Sequence, residues 1–254
     1  AAVSVGSFPI AAVSVPILLH AFETTGASIA GIRAALEVRG EKGVQVVGWA
    51  GDGGTYDIGL QALSGAAERN EDAIYVCYDN EAYMNTGVQR SSSTPTGAWT
   101  PTPPRGKTAE HPKKDIVAIM AAHRVPYIAT LSPAYPEDFR AKVRRARDTH
   151  GFRFLLIQSP CPTGWRSESK DTIRIARLGV ESGVFPLLEV TRGHDWLASH
   201  APTFLGLEEY FALQGRFATL TQEQRGAAAG HIQEQWQELR TRPGFALSLE
   251  RVRS

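Results

Sequence analysis

The sequence predicts an α/β protein built on a doubly wound, mainly parallel sheet with helices on both faces. Two observations support this fold class. Short apolar runs that fit buried strands alternate with segments of helical periodicity, which is typical of a parallel sheet covered on both sides. The chain has 254 residues, of which 43% are hydrophobic, so it can bury the core that such a sheet requires.

The predicted elements follow one another at short intervals. The first helix begins at Thr24 or Thr25, either of which can cap it, and it ends at Gly40. Apolar runs predict five strands, at residues 44–50, 73–78, 126–131, 152–158 and 184–190. Helical periodicity predicts further helices at residues 56–69, 114–123, 136–150 and 170–181. Residues 91–113 are rich in proline, which predicts a long loop.

The pattern changes after Arg192. Residues 1–192 are predicted to form the α/β domain. Residues 193–254 are predicted to form a C-terminal helical docking tail that packs on the same domain or on a partner subunit. Amphipathic segments at 208–213 and 222–239 favour helices over further sheet in this tail.

The composition argues against several function classes. A net charge of +1 gives no general reason to expect nucleic acid or a membrane surface as a partner. No apolar run reaches the roughly 20 residues that a membrane-spanning helix needs. The sequence contains only Cys77 and Cys161, so a disulfide framework is not expected and the cytoplasm is the predicted location.

The most informative motif is Gly51-Asp52-Gly53-Gly54, between the first predicted strand and the following helix. A helix that begins there directs free amide groups and the positive end of its dipole at a ligand, and glycines allow an anion to approach the backbone. Asp52 would place a carboxylate in the same anion site, which requires a cation between the two. The motif therefore predicts a diphosphate bridged by Mg²⁺.

Asn80 is the second predicted metal ligand. It follows Asp52 by 28 residues, close to the roughly 30 residues of one strand–helix–strand unit. Adjacent parallel strands end at the same edge of a sheet, so the two side chains are expected to converge there. A simple tight turn would explain the glycine motif alone, but not the full set of elements. A nicotinamide motif would need glycine at Tyr56, and no Walker sequence is present.

The motif Gly51-Asp52-Gly53 with Asn80 resembles the thiamine-diphosphate motif. The wider sequence resembles the β subunit of pyruvate-type 2-oxoacid:ferredoxin oxidoreductases, from about Phe8 to beyond Phe217. The segments that carry this resemblance are residues 51–85, 89–92, 94–95, 160–165 and 213–217.

The resemblance implies a role for several residues. Asp52, Asn80 and the main-chain carbonyl of Ala82 would hold Mg²⁺ against the diphosphate, beside Gly51, Gly53 and Gly54. Asn85 would lie near the thiazolium ring and the substrate and act in catalysis. His20 is a further candidate for binding cofactor or substrate, and a hydrogen-bonded structural histidine is the alternative.

The resemblance also implies the reaction and the partners. A 2-oxoacid, either pyruvate-like or an aryl-glyoxylate such as phenylglyoxylate, would be oxidatively decarboxylated to acyl-CoA and CO₂. Electrons would pass through iron–sulfur clusters to ferredoxin or to a flavin subunit that reduces NAD. A glutamate that contacts the pyrimidine ring normally comes from another domain or subunit, and no glutamate here matches it. We therefore expect a pyrimidine-domain α subunit, with a ferredoxin-like δ subunit and a γ subunit.

Cys161 aligns with one of the four cysteines that hold a four-iron four-sulfur cluster in this family. The resemblance implies that the other three belong to an N-terminal segment whose third cysteine would fall at or just before Ala1. Thiolate ligation requires four cysteines, so either that segment is missing from this sequence or the cluster is absent. A lone buried cysteine is the alternative interpretation. Cys77 lies in a predicted strand and is assigned to the core.

Two other functions are compatible with parts of the sequence. A structural subunit that keeps the fold without redox chemistry would explain the missing cysteines. A basic module around residues 140–147 could bind coenzyme A phosphates, acidic ferredoxin or nucleic acid, although such charge runs are usually solvated helix faces.

Overall fold

The computed structural model describes residues 15–102, 109 and 111–248. Within these residues, seven strands form one sheet. The strands are β1 (Val47–Gly51), β2 (Ile74–Asp79), β3 (Tyr127–Leu131), β4 (Arg153–Gln158), β5 (Leu188–Thr191), β6 (Asp195–Ala198) and β7 (Ala246–Leu247). The α-helices are α1 (Thr25–Val38), α2 (Leu60–Glu68), α3 (Ile116–Ala122), α4 (Pro136–Asp148), α5 (Pro162–Trp165), α6 (Thr172–Glu181), α7 (Leu207–Ala212) and α8 (Gln222–Arg240).

The strand order is β1-β2-β4-β3-β5-β6-β7. The neighbouring strands β1, β2, β4 and β3 run parallel to one another. β5 is antiparallel to β3, and β6 is antiparallel to β5. Gly51 at the end of β1 pairs with Tyr78 near the end of β2. The residues that follow these two strands therefore lie side by side at one edge of the sheet.

Hydrophobic side chains fill both faces of the sheet. The larger cluster lies on one face and includes Tyr75, Cys77 and Phe154 from the strands, with Leu63 of α2. On the other face, side chains of β2, β3 and β4 pack against Ala146 of α4. The predicted α/β fold with helices on both faces is confirmed, and Cys77 is a core residue as predicted.

The expectation that no further sheet follows Arg192 is wrong. The short strand β6 pairs with β5, and β7 pairs with β6. The long helix α8 also contributes to the main core, and Trp236 Nε1 donates a hydrogen bond of 2.9 Å to the Gly183 carbonyl. Strands of four and two residues carry too little periodicity to be recognised in a sequence. The division of the chain at residue 192 stays a prediction, and residues 1–14 and 249–254 lie outside the described part.

No helix among the described residues has both the length and the apolar character needed to cross a membrane.

Candidate functional site

The glycine motif turns the chain sharply at the end of β1. Asp52 is 1% exposed, and a π-helical turn, Gly53–Asp57, precedes α2. A Cβ atom at Gly53 would lie 2.2 Å from the Tyr83 ring, and one at Gly54 would lie 2.9 Å from the Phe22 carbonyl oxygen. The two glycines are therefore required by close packing around the turn.

The three predicted metal ligands converge at the edge of the sheet. The inward-facing atom of the Asn80 carboxamide lies 2.9 Å from Asp52 Oδ1 and 2.8 Å from the Ala82 carbonyl oxygen. If this atom is the amide nitrogen, it donates to both oxygens. If it is the amide oxygen, three oxygen atoms face one another, and a cation must lie between them.

The donor set fits Mg²⁺. In an octahedral site with bonds of about 2.1 Å, neighbouring ligand oxygens are about 3.0 Å apart, close to the 2.9 Å and 2.8 Å measured around Asn80. One carboxylate, one amide oxygen and one carbonyl are ligands that hard cations prefer. The described residues contain no group of three or more His, Cys, Asp or Glu side chains arranged for a metal. Any metal at this edge would therefore depend on amide and carbonyl oxygens in addition to Asp52.

The environment of Asp52 favours a bound cation. Burial, followed by the charge of Asp79, raises the pKa of Asp52 well above its usual range. Its Oδ2 atom accepts a short hydrogen bond from Ser91 Oγ, which partly opposes these effects. A positive ion beside Oδ1 would stabilise the ionised form that burial disfavours.

Asp79, at the end of β2, is also buried, but the protein itself satisfies it. It accepts hydrogen bonds from Tyr56 Oη at 3.1 Å, Ser93 Oγ at 2.5 Å and the Glu81 amide at 3.1 Å. Lys113 Nζ lies 2.6 Å from Asp79 Oδ2. Burial would lower the pKa of Lys113, but the charges of Asp79 and Glu81 outweigh it and raise that pKa.

The residues around Asp79 were missed by the sequence analysis. Asp79 directly precedes Asn80 at the end of a buried strand, and this position was the one available signal. Lys113 and Ser93 come from the proline-rich loop, where no periodicity indicates which side chains turn inward. Ser91 appeared only within a segment of the family resemblance.

Asn85 and His20 are both exposed. Asn85 lies in a 3₁₀ turn, Met84–Thr86, which begins two residues after Ala82. His20 Nδ1 lies 2.8 Å from the Ala21 carbonyl oxygen and 3.1 Å from Thr24 Oγ1, so its hydrogen bonds are local. Their roles in catalysis and cofactor binding stay predictions.

Cys161 is half-buried and unpaired, and it directly precedes α5. The last residue of that helix, Trp165, donates a hydrogen bond of 2.8 Å from Nε1 to the Asn80 carbonyl oxygen. The Cys161 turn is therefore connected to the loop that carries the candidate metal ligands. Its role in binding an iron–sulfur cluster stays a prediction.

The basic residues of α4 are largely neutralised by neighbouring carboxylates. Lys142 is buried, and its Nζ lies 2.7 Å from Asp138. The arginine ion pairs on this helix are Arg140 with Glu137, Arg145 with Glu189, and Arg147 with Asp148. This pairing favours a solvated helix face over a nucleic-acid site.

Comparisons with known proteins show the family to which the chain belongs. Residues 15–157 match the family described as "Thiamine pyrophosphate enzyme, C-terminal TPP binding domain". The chain is 49% identical over 245 residues to ketoisovalerate oxidoreductase subunit VorB of Pyrococcus abyssi. The aligned region covers 92% of this chain and 79% of that protein. It is 48% identical over 237 residues to pyruvate synthase subunit PorB of Methanothermobacter marburgensis, with coverage of 92% and 82%.

A solved structure has the same fold. It is the 2-oxoglutarate:ferredoxin oxidoreductase from Magnetococcus marinus, with a TM-score of 0.54, 20% identity, and coverage of 83% of this chain and 73% of that chain. At this identity, the likeness supports the fold alone.

The fold and the family match define the class of protein as a thiamine-pyrophosphate-enzyme C-terminal domain. Within this class, the chain belongs to the family of β subunits of 2-oxoacid:ferredoxin oxidoreductases, because it shares almost half of its residues with two members across most of their length. The resemblance found in the sequence is thereby confirmed.

Proposed function

We propose that this chain binds thiamine diphosphate through Mg²⁺ and is the cofactor-binding, catalytic subunit of a multi-subunit 2-oxoacid oxidoreductase. The observation that supports this most directly is that one atom of the Asn80 carboxamide lies within 3 Å of both Asp52 Oδ1 and the Ala82 carbonyl oxygen. The three groups meet where the turn after β1 begins, so a diphosphate held by the cation would also receive main-chain amides.

In this proposal each residue has a defined task. Asp52, Asn80 and the Ala82 carbonyl hold Mg²⁺ against the diphosphate, and Ser91 orients Asp52 through its second oxygen. Bound thiamine diphosphate supplies the carbanion chemistry that releases CO₂ from a 2-oxoacid. Asn85 is exposed beside this loop, where a substrate could reach it.

The relatives are named for ketoisovalerate and pyruvate, so we propose an aliphatic 2-oxoacid as the first substrate to test, with aryl-glyoxylates such as phenylglyoxylate next. The products would be acyl-CoA and CO₂. Cys161 would bind a four-iron four-sulfur cluster together with three cysteines from outside this sequence, since Cys77 is buried in the core. Electrons would pass to ferredoxin or to a flavin/NAD subunit.

We also propose that α, γ and δ subunits complete the enzyme, because this chain offers no glutamate that matches the one expected at the pyrimidine ring. The unpaired cysteines fit a reducing compartment such as the cytoplasm. A subunit that keeps only the fold is the alternative, and it differs in not binding the cofactor.

The test is a titration of the cofactor-free complex with thiamine diphosphate and Mg²⁺, followed by thermal unfolding. We expect saturable stabilisation, about 2.7 kcal/mol at a ligand concentration 100 times the Kd. The Asp52→Ala complex should show none, because the cation loses its charged ligand. The matched control is Asp148→Ala, which alters an exposed ion pair and should leave the titration unchanged. A wild-type complex verified to be cofactor-free that gains no stability would contradict the proposal.

A further inference from the structure

The loop that carries Asn80 and Ala82 has an unusual backbone conformation at the residue between them. Glu81 has a φ of 64°, in the left-handed region that a residue with a Cβ atom rarely adopts. Glycine would adopt this conformation without a steric cost. Interactions elsewhere must therefore hold Glu81 in place.

The Glu81 side chain is buried between two cations. Its Oε1 atom lies 3.1 Å from Lys113 Nζ, and its Oε2 atom lies 2.7 Å from an Arg216 guanidinium nitrogen. The carboxylate is therefore bridged by residues that are far apart in sequence, and both of its oxygens have a charged partner. Burial would raise the pKa of Glu81, but Lys113 and then Arg216 outweigh it and lower that pKa.

The same cluster also holds the main chain. The Glu81 amide donates to Asp79 Oδ1, and its carbonyl oxygen accepts a hydrogen bond of 2.6 Å from Thr94 Oγ1. The Arg216 guanidinium lies 3.8 Å from the centre of the Trp165 ring. Trp165 in turn donates to the Asn80 carbonyl oxygen. Side-chain and main-chain contacts thus fix the loop on both sides of Glu81.

We propose that Glu81, Lys113 and Arg216 are positioning residues for the metal site; this inference rests on the function proposed above. Their ion pairs hold Glu81 in the left-handed conformation. That conformation directs the Asn80 side chain and the Ala82 carbonyl at the same point, opposite Asp52 Oδ1. Cation affinity therefore depends on three residues that do not touch the cation.

The experiment measures Mn²⁺ binding by electron paramagnetic resonance in the full complex, in the presence of thiamine diphosphate. Glu81→Gln keeps the shape of the side chain but removes its charge, and Lys113→Met removes one partner. We expect each to weaken Mn²⁺ binding at least tenfold in complex that is fully folded at the temperature of the measurement. Because each variant breaks a buried ion pair, the cofactor-free complex should also melt roughly 10 °C lower. Lys113→Arg keeps the ion pair and should restore binding to within about threefold.

A pair of substitutions separates the backbone from the ion pair. Both Glu81→Ala and Glu81→Gly remove the carboxylate, but only glycine adopts a positive φ without a steric cost. Because the left-handed conformation is sterically unfavourable for a residue with a Cβ atom, Glu81→Gly should bind Mn²⁺ about fivefold or more tightly than Glu81→Ala. A merely structural salt bridge would not predict this order.

The control is Glu208→Gln, which neutralises an exposed carboxylate 2.9 Å from Arg225 and should leave Mn²⁺ affinity unchanged. If the wild-type complex binds no Mn²⁺ with thiamine diphosphate, the proposed function itself fails. If it binds and Glu81→Gln binds equally well, the function stands and the positioning role is overturned. Mn²⁺ binding that is lost only from the fraction of complex that has unfolded at the temperature of the measurement would also overturn that role. If Glu81→Gln does not assemble, Lys113→Met decides by the same criteria.

Discussion

The ends of β1 and β2 carry two aspartates with the same burial and opposite surroundings. Asp52 and Asp79 are each 1% exposed. Asp79 accepts hydrogen bonds from two hydroxyls and an amide and pairs with Lys113, so the protein neutralises it. Asp52 has Ser91 on one oxygen, and its other oxygen faces the Asn80 carboxamide and, beyond it, the Ala82 carbonyl.

This difference supports the proposal that Asp52, rather than Asp79, is the metal ligand. A buried carboxylate that the protein has already paired has no need of a further cation. A buried carboxylate surrounded by other oxygens is stabilised by one. In the proposed function, Asp79 therefore organises the loop, and Asp52, at the neighbouring position on the adjacent strand, faces the cation.

The largest effect should follow from changing the structural aspartate. Asp79→Ala leaves Lys113 without one of its carboxylate partners and removes the acceptor for Tyr56 and Ser93. Breaking a buried ion pair in this way costs about 3–5 kcal/mol, which lowers the melting temperature by roughly 10 °C for a chain of this size. Thermal unfolding of the cofactor-free complex measures this fall in melting temperature. A change of only a degree or two would show that Asp79 is not structural.

A smaller effect is expected at the turn beside Asp52. The added methyl group in Gly53→Ala would force the Tyr83 ring away and break its hydrogen bonds to the Gly53 carbonyl and Asp57. Overpacking of this kind costs about 1–3 kcal/mol, so thiamine diphosphate should bind roughly tenfold to a hundredfold more weakly. Calorimetric titration measures the Kd.

The matched control is Gly226→Ala in α8, where an added Cβ atom meets nothing within 4 Å. It should leave the Kd unchanged, because the substitution is far from the turn in sequence and sterically free. Equal Kd values for Gly53→Ala and the wild type would contradict the packing argument.

Ser91→Ala tests the one hydrogen bond that Asp52 receives from the proline-rich loop. A hydrogen bond to a charged group contributes about 1.5 kcal/mol or more, so the affinity for Mg²⁺ and thiamine diphosphate should fall about tenfold. Ser91→Thr retains the hydroxyl and should bind more tightly than Ser91→Ala. The reverse order would mean that the hydroxyl does not orient Asp52.

The smallest effect should be a gain. Asp52→Asn removes a buried negative charge that is disfavoured by burial and by Asp79. The cofactor-free complex should therefore melt about 2–4 °C higher, which corresponds to about 1 kcal/mol. The same variant should lose stabilisation by Mg²⁺ and thiamine diphosphate. A lower melting temperature without cofactor would place Asp52 with Asp79 among the structural residues.

The Asp52 side of this comparison could be predicted from the sequence, but the Asp79 side could not, for physical reasons. The convergence of Asp52 and Asn80 was predictable because strand spacing fixes where consecutive parallel strands end. The contact between Lys113 and Asp79 could not be predicted, because Lys113 lies in an aperiodic loop 34 residues further along the chain. The left-handed conformation of Glu81 was also hidden, because tertiary ion pairs rather than residue type hold it.

The strands of the sheet could also be predicted only where their own sequence pattern is long enough. Strands β1 to β5 were predicted with starts one to four residues too early, because their apolar runs are long enough to recognise. β6 and β7 depend on pairing with neighbours rather than on their own pattern, and the sequence did not reveal them.

The most direct test is a crystal structure of the complex with thiamine diphosphate and Mn²⁺, with the ion located by its anomalous scattering. We predict one peak within about 2.1–2.3 Å of Asp52 Oδ1, the Asn80 amide oxygen and the Ala82 carbonyl, with Asp79 still paired to Lys113. A peak bound by Asp79, or none at the edge between β1 and β2, would contradict the assignment of the two aspartates.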